Sequence, residues 1–102
     1  MVSIALLAEL GALLGNPARA SMLAALMEGR ELTATELAHR AGIAPQTASG
    51  HIARLTTVGL LSIEKRGRHR YHRLASADLR LMLERLTGIV AAISDNQRKG
   101  RR

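Results

Sequence analysis

Residues 33–74 decide the fold: TATELAHRAGIAPQTASGHIARLTTVGLL over 33–61, then SIEKRGRHRYHRL over 62–74. Thr33 and Glu36 have the Thr-x-x-Glu spacing of a capping box, in which each side chain satisfies a backbone donor near the other. A helix therefore starts at about 34. Gly42 closes it, because glycine takes the left-handed C-cap conformation at little cost. Only Ile43 and Ala44 precede Pro45, whose fixed φ and missing N–H suit the first position of a second helix. That helix runs to about Val58 and ends at Gly59. Two helices joined by a short Gly-containing turn form a helix-turn-helix, whose second helix can lie in a DNA major groove. Leu60 to Glu64 and His69 to Leu74 read as strands around Arg66-Gly67-Arg68, with Gly67 giving a tight hairpin its backbone freedom. A basic hairpin in that place is the shape of a wing.

Three more helices complete the expectation. Residues 3–14 (SIALLAELGALL) form an apolar helix with Ser3 as its cap. Its leucines spread over too wide an arc for one buried stripe, so it needs cover on two sides. Asn16-Pro17 caps and opens a second helix over about 17–28, with Met22, Leu23, Leu26 and Met27 inward and Gly29 as its end. The last helix, about 76–96, carries Leu79, Met82, Leu83, Leu86, Ile89, Val90 and Ile93 as one continuous stripe. The fold class is mainly α with a small β-hairpin: a winged helix-turn-helix of five helices and a two-stranded wing. Residues 1–96 are expected to form one DNA-binding and dimerisation domain, and 97–102 (QRKGRR) a basic disordered tail without an apolar residue.

Composition narrows the function classes. The 102 residues suffice for one modest core, in which Tyr71 is the single aromatic residue. A small aliphatic domain often completes its burial by dimerising. The winged core cannot cover the first and last helices together. A homodimer is therefore expected, with Leu7, Leu10, Leu14, Leu86, Ile89, Val90 and Ile93 at its interface. No apolar run reaches the roughly 18 residues of a membrane span. No basic segment precedes the N-terminal apolar stretch, and no cysteine is present, so a cytoplasmic protein is expected. The net charge of +7 is uneven. Residues 1–42 are close to neutral, whereas residues 43–75 hold six cations against Glu64 alone. Excess positive charge on the second helix of the pair and on the hairpin attracts a polyanion. No paired carboxylates, nucleophile motif or Gly-rich phosphate loop is present, so an enzyme is not expected.

The chain resembles the ArsR/SmtB family of small bacterial winged-helix repressors. Residues 14–29 (LGNPARASMLAALMEG) look like the family's second helix, with its Pro-x-Arg turn. Residues 31–61 look like its helix-turn-helix, including Thr47, Ser49, His51, Leu55, Gly59 and Leu60. Residues 66–74 (RGRHRYHRL) look like its wing, Gly-Arg-x-x-Tyr-x-x-Leu. The resemblance spans about residues 4–95 and implies dimeric operator binding, repression, and release by an inducer that the sequence does not identify. Metal-sensing members carry Cys at the positions of Thr33 and Thr35, and others have Asp-x-His and His-x-x-Glu on the last helix. Here Asp78 is followed by Leu79 and Arg80, and the last helix lacks His, so no cofactor or metal is expected. Gly50 replaces the Arg of many members, and Ala44 replaces a hydroxyl N-cap.

The candidate DNA-binding residues are Gln46, Thr47, Ser49, Gly50, His51, Arg54, Arg66, Arg68 and Arg70. The first turns of a recognition helix meet base edges; Gln can bond adenine bidentately, and Thr or Ser can bond bases or phosphates. Arg54 suits a phosphate. His51 is read as a partly buried histidine or a phosphate donor. Arg66, Arg68 and Arg70 are the main wing cations, with Arg68 at the tip suited to a narrow minor groove. Lys65 and Arg73 are read as solvated, and Arg19 as half of a fold-stabilising ion pair. His39, His51, His69 and His72 make no local ligand set, since strand residues three apart point to opposite faces. The rival readings are a winged-helix protein-interaction or dimerisation module, and a metal-responsive repressor with an atypical His/carboxylate site.

Overall fold

A computed structural model describes residues 3–99. In chain order the elements are α1 (Ile4–Leu14), α2 (Pro17–Met27), α3 (Ala34–Ala41), α4 (Pro45–Thr57), β1 (Leu61–Arg66), β2 (His69–Leu74) and α5 (Ala77–Lys99). The expected order and types are all present.

Each helix start has a local cause. The Ser3 hydroxyl accepts from the Leu6 amide at 3.3 Å, and Asn16 Oδ1 from the Arg19 amide at 3.1 Å. At α3 both halves of the capping box form: the Glu36 amide donates to Thr33 Oγ1 at 3.2 Å, and the Thr33 amide to Glu36 Oε1 at 2.9 Å. The Ser76 hydroxyl accepts from the Leu79 amide at 3.1 Å and begins α5. α4 alone of these starts without a side-chain cap, because Ala44 offers no acceptor. Gly42, with φ of 66°, turns the chain between α3 and α4 in the left-handed region.

The core joins α2, α3 and α4 to the root of the wing. Met22, Leu26, Leu37 and Leu55 are its largest fully buried side chains, with Leu61 and Leu74 closing the hairpin end and Leu83 the α5 side. Nothing in the core is aromatic, so it relies on close aliphatic packing. Among the described residues His72 is the buried polar one. Its backbone exchanges two hydrogen bonds with Leu32, at 3.0 and 2.8 Å, and its Nδ1 lies 3.0 Å from the Leu32 carbonyl oxygen. The segment before α3 thus forms a third, one-residue rung beside the wing.

Two boundaries and one expected contact differ from the sequence expectation. β1 spans Leu61–Arg66, with Arg66 opposite His69, so the hairpin loop is Gly67-Arg68 and not Arg66-Gly67-Arg68. Among the described residues no side chain outside glycine has positive φ, and Gly67 stands at 61°. Positive φ at the first loop position alone is the pattern of a II′ turn, which matches the strand twist and lets pairing run to the loop. α5 continues to Lys99, so residues 97–99 of the expected disordered tail are helical. Asn96-Gln97-Arg98-Lys99 contains no breaker, and Gln, Arg and Lys are good helix formers. Residues 100–102 of that tail lie outside the described residues. The ion pair expected for Arg19 does not form among the described residues; its Nε is buried without a hydrogen-bond partner.

Candidate nucleic-acid interface

Leu37 and Ala38 of α3 and Ala48 of α4 are buried in one core where the two helices pack, which turns the opposite side of α4 outward. Gln46, Thr47, Ser49, Gly50 and Arg54 are all exposed, and His51 is half-buried. Successive turns of α4 keep one side in the core and the other in solvent: Ala48, Ile52 and Leu55 face in, while Ser49, Ala53 and Arg54 face out. Because Ala44 provides no cap, the first amides of α4 have no side-chain acceptor. A helix N-terminus with open donors favours an anion.

The wing stands across a cleft of about 520 Å³ from α4. Ser49, Ile52, Ala53, Thr56 and Thr57 line the helix side, and Ile63, Arg68, His69, Arg70 and His72 the wing side. Of the expected DNA-binding residues, Ser49, Arg68 and Arg70 therefore meet at one opening.

Arg66 is not with them. In an antiparallel hairpin directly opposed residues share a face, and faces alternate along each strand. The pairs Leu61–Leu74, Ile63–His72 and Lys65–Arg70 make the inner face, toward the core and α4. Ser62–Arg73, Glu64–Tyr71 and Arg66–His69 make the outer face, although His69, next to the loop, also borders the cleft. There the Arg66 guanidinium lies 4.2 Å from the Tyr71 ring centroid, 3.8 Å from Glu64, and in an ion pair with Glu31. Arg73 reaches Glu31 at 3.8 Å and donates to Ser62 Oγ at 3.2 Å. The sequence reading of the wing has Arg66 as a DNA contact and Lys65 as solvated; Arg66 is engaged in ion pairs on the outer face, and Lys65 is exposed and shares the inner face with Arg70. Glu31 escaped that reading altogether. Counting outward from Gly67-Arg68, with Leu61 and Leu74 as core markers, would have sorted the faces; Glu31 carried no signal of its own.

Electrostatics at the start of α3 are local. The Thr33 amide, and then the Thr33 hydroxyl, hold the Glu36 carboxyl below the usual carboxylate range. Among the described residues no three of His, Asp and Glu gather as a ligand set. No helix described is long and apolar enough to cross a membrane.

The expected interface residues divide between faces. Leu7, Leu86, Ile89, Val90 and Ile93 are exposed, with Leu7 at 60% and Ile89 at 59%. Leu10 instead lines a groove on its own chain with Leu6, Leu13, Val58 and Leu60. Leu14 is half-buried at the end of a second groove, of about 450 Å³, between α2 and α5.

A buried three-helix core with a two-stranded wing, and a polar helix face beside that wing, defines the winged helix-turn-helix class. Residues 14–64 match a family described as a helix-turn-helix domain, and the chain belongs to that family. A relative in Bacillus subtilis (strain 168), the uncharacterized HTH-type transcriptional regulator YdfF, is 48% identical over 83 residues. That match covers 81% of this chain, and the chain spans only 37% of the relative's length. Among solved structures, Rv0081 of M. tuberculosis superposes with a TM-score of 0.84 at 24% identity, covering 90% of this chain and 92% of that one. The homodimeric winged helix-turn-helix DNA-binding domain of Mb0332 from Mycobacterium bovis, a possible ArsR-family regulator, superposes at 0.71 with 26% identity, covering 93% and 83%.

Proposed function

We propose that the chain is a DNA-binding transcriptional regulator, a homodimeric repressor released by an inducer. The observation that carries this reading is the cleft at which Ser49 of α4 and Arg68 and Arg70 of the wing converge, beside the uncapped start of the same helix. A duplex offers what each part wants. Base edges suit Gln46 and Ser49, and phosphate oxygens suit the α4 amides, Arg54, Arg68 and Arg70. The relatives support it, since one is described as an HTH-type transcriptional regulator and another as a homodimeric DNA-binding domain.

Dimerisation follows from the uncovered apolar stripe of α5 and the groove beside it, which a second copy would fill. Two recognition helices about 34 Å apart then reach successive major grooves. An inducer that shifts α1 or α5 changes that spacing, so inducer and DNA affinities are reciprocally linked. The test is binding to the DNA upstream of the protein's own gene, against a scrambled duplex, across a salt series. Preference for the upstream fragment by a two-protomer species is expected; equal binding to both at all salt concentrations refutes a sequence-specific regulator.

A further inference from the structure

The two faces of the wing differ in charge. The inner face and tip carry Lys65, Arg68 and Arg70, none of which pairs with a carboxylate among the described residues. On the outer face Arg66 and Arg73 are matched by Glu31 and Glu64. Glu31 bridges both arginines, and it does not belong to the hairpin. It precedes Leu32, which is buried and bound to His72 by two backbone hydrogen bonds of 3.0 and 2.8 Å. The Glu31 side chain is 32% exposed, against 54% for Arg66 and 56% for Arg73. An exposed ion pair contributes little when two long side chains must be immobilised to make it. Here the carboxylate is held in place by its backbone, Arg66 is stacked on Tyr71, and Arg73 is anchored on Ser62, so much of that ordering is already done.

We propose that Glu31 is a positioning residue that holds Arg66 and Arg73 off the DNA backbone, so that the wing meets the duplex through its inner face and tip only. The inference rests on the DNA-binding reading. Its consequence is restraint: two cations that would add sequence-independent affinity are neutralised in the resting wing. Each phosphate contact steepens the fall of log K with log salt by about 0.9. The wing then contributes the slope of three cations and not five.

The test is binding of the full chain to a random-sequence duplex across a salt series, with folding of each variant checked by thermal melting. Arg66→Ala and Arg73→Ala, each alone, should leave the slope unchanged, whereas Arg70→Ala should flatten it by about 0.9. Glu31→Gln should steepen it by at least about 0.9, so that raising salt from about 50 to 200 mM costs roughly 3.5-fold more affinity than in the parent. Adding Arg66→Ala to Glu31→Gln should remove part of that gain. Glu9→Gln on α1 makes the same charge change far along the chain from the wing and should leave the slope alone. A flattened slope for Arg66→Ala alone, or Glu31→Gln behaving like Glu9→Gln, overturns the role of Glu31. If the parent binds no duplex at any salt, the DNA-binding reading itself is refuted and the inference falls with it.

Discussion

Single residues separate reading from holding. Gln46 and Ser49 are exposed on the first turns of α4 and are suited to base edges. Arg70 faces the cleft from the wing and is suited to phosphate. We expect Gln46→Ala to cost on the order of 1–3 kcal/mol against the operator and to leave the salt slope alone. Parallel titrations of operator and scrambled duplex check this; equal weakening on both would remove Gln46 from base contact. A second residue-scale expectation concerns Glu36. Its bonds to Thr33 lower its folded pKa. A carboxyl more acidic in the folded than in the unfolded state stabilises the fold above the usual carboxylate range and loses that contribution as pH falls through its folded value. Denaturation midpoints of the parent and Glu36→Gln should therefore differ near about pH 7 and converge as pH falls below the usual carboxylate range.

At the scale of elements, α4 trades stability for access. A helix beginning with Asp at the N-cap gains about 1 kcal/mol over one beginning with Ala. Ala44 forgoes this, and the amides it leaves open lie at the end of α4 that carries Gln46 and Thr47. We expect Ala44→Asp to raise the unfolding free energy by about 0.5–2 kcal/mol and to lower affinity for every duplex, since a carboxylate then occupies the anion position. Urea titration and anisotropy on the same preparation measure both; stabilisation without loss of affinity would place the phosphate elsewhere. The wing shows how register decides function. Shifting the loop from three residues to two brings Lys65 and Arg66 into β1 and fixes which cations face α4, because faces alternate residue by residue.

For the whole molecule, uncovered apolar surface lies on α1, at Ile4, Leu6 and Leu7, and along α5. Leu83 is buried, whereas Leu86, Ile89, Val90 and Ile93, further along the same helix, are not. α5 packs on α2 and β2, and Leu86 and Val90 border the groove it forms with α2. Leu86→Glu should leave the fold intact, because that side chain is already partly in water, and should dissociate the dimer. Sedimentation at micromolar concentration should show a monomer, and operator affinity should fall with it, since one protomer presents half a site. A variant that stays dimeric would move the interface away from α5.

The sequence by itself determined the elements and their order. Capping boxes, N-terminal prolines, closing glycines and apolar periodicity all act within a few residues, and here they agree with one another. They also placed Gln46, Ser49, Arg68 and Arg70 on the two elements that form the cleft. Only the tertiary structure decided which charges are available. Glu31 neutralises Arg66 across 35 residues of chain, His72 turns inward to Leu32, and Leu10 lines a groove with Leu13, Val58 and Leu60 of its own chain. The physical reason is range. Backbone propensity and capping are settled between neighbours in sequence, whereas ion pairing and burial are settled between neighbours in space.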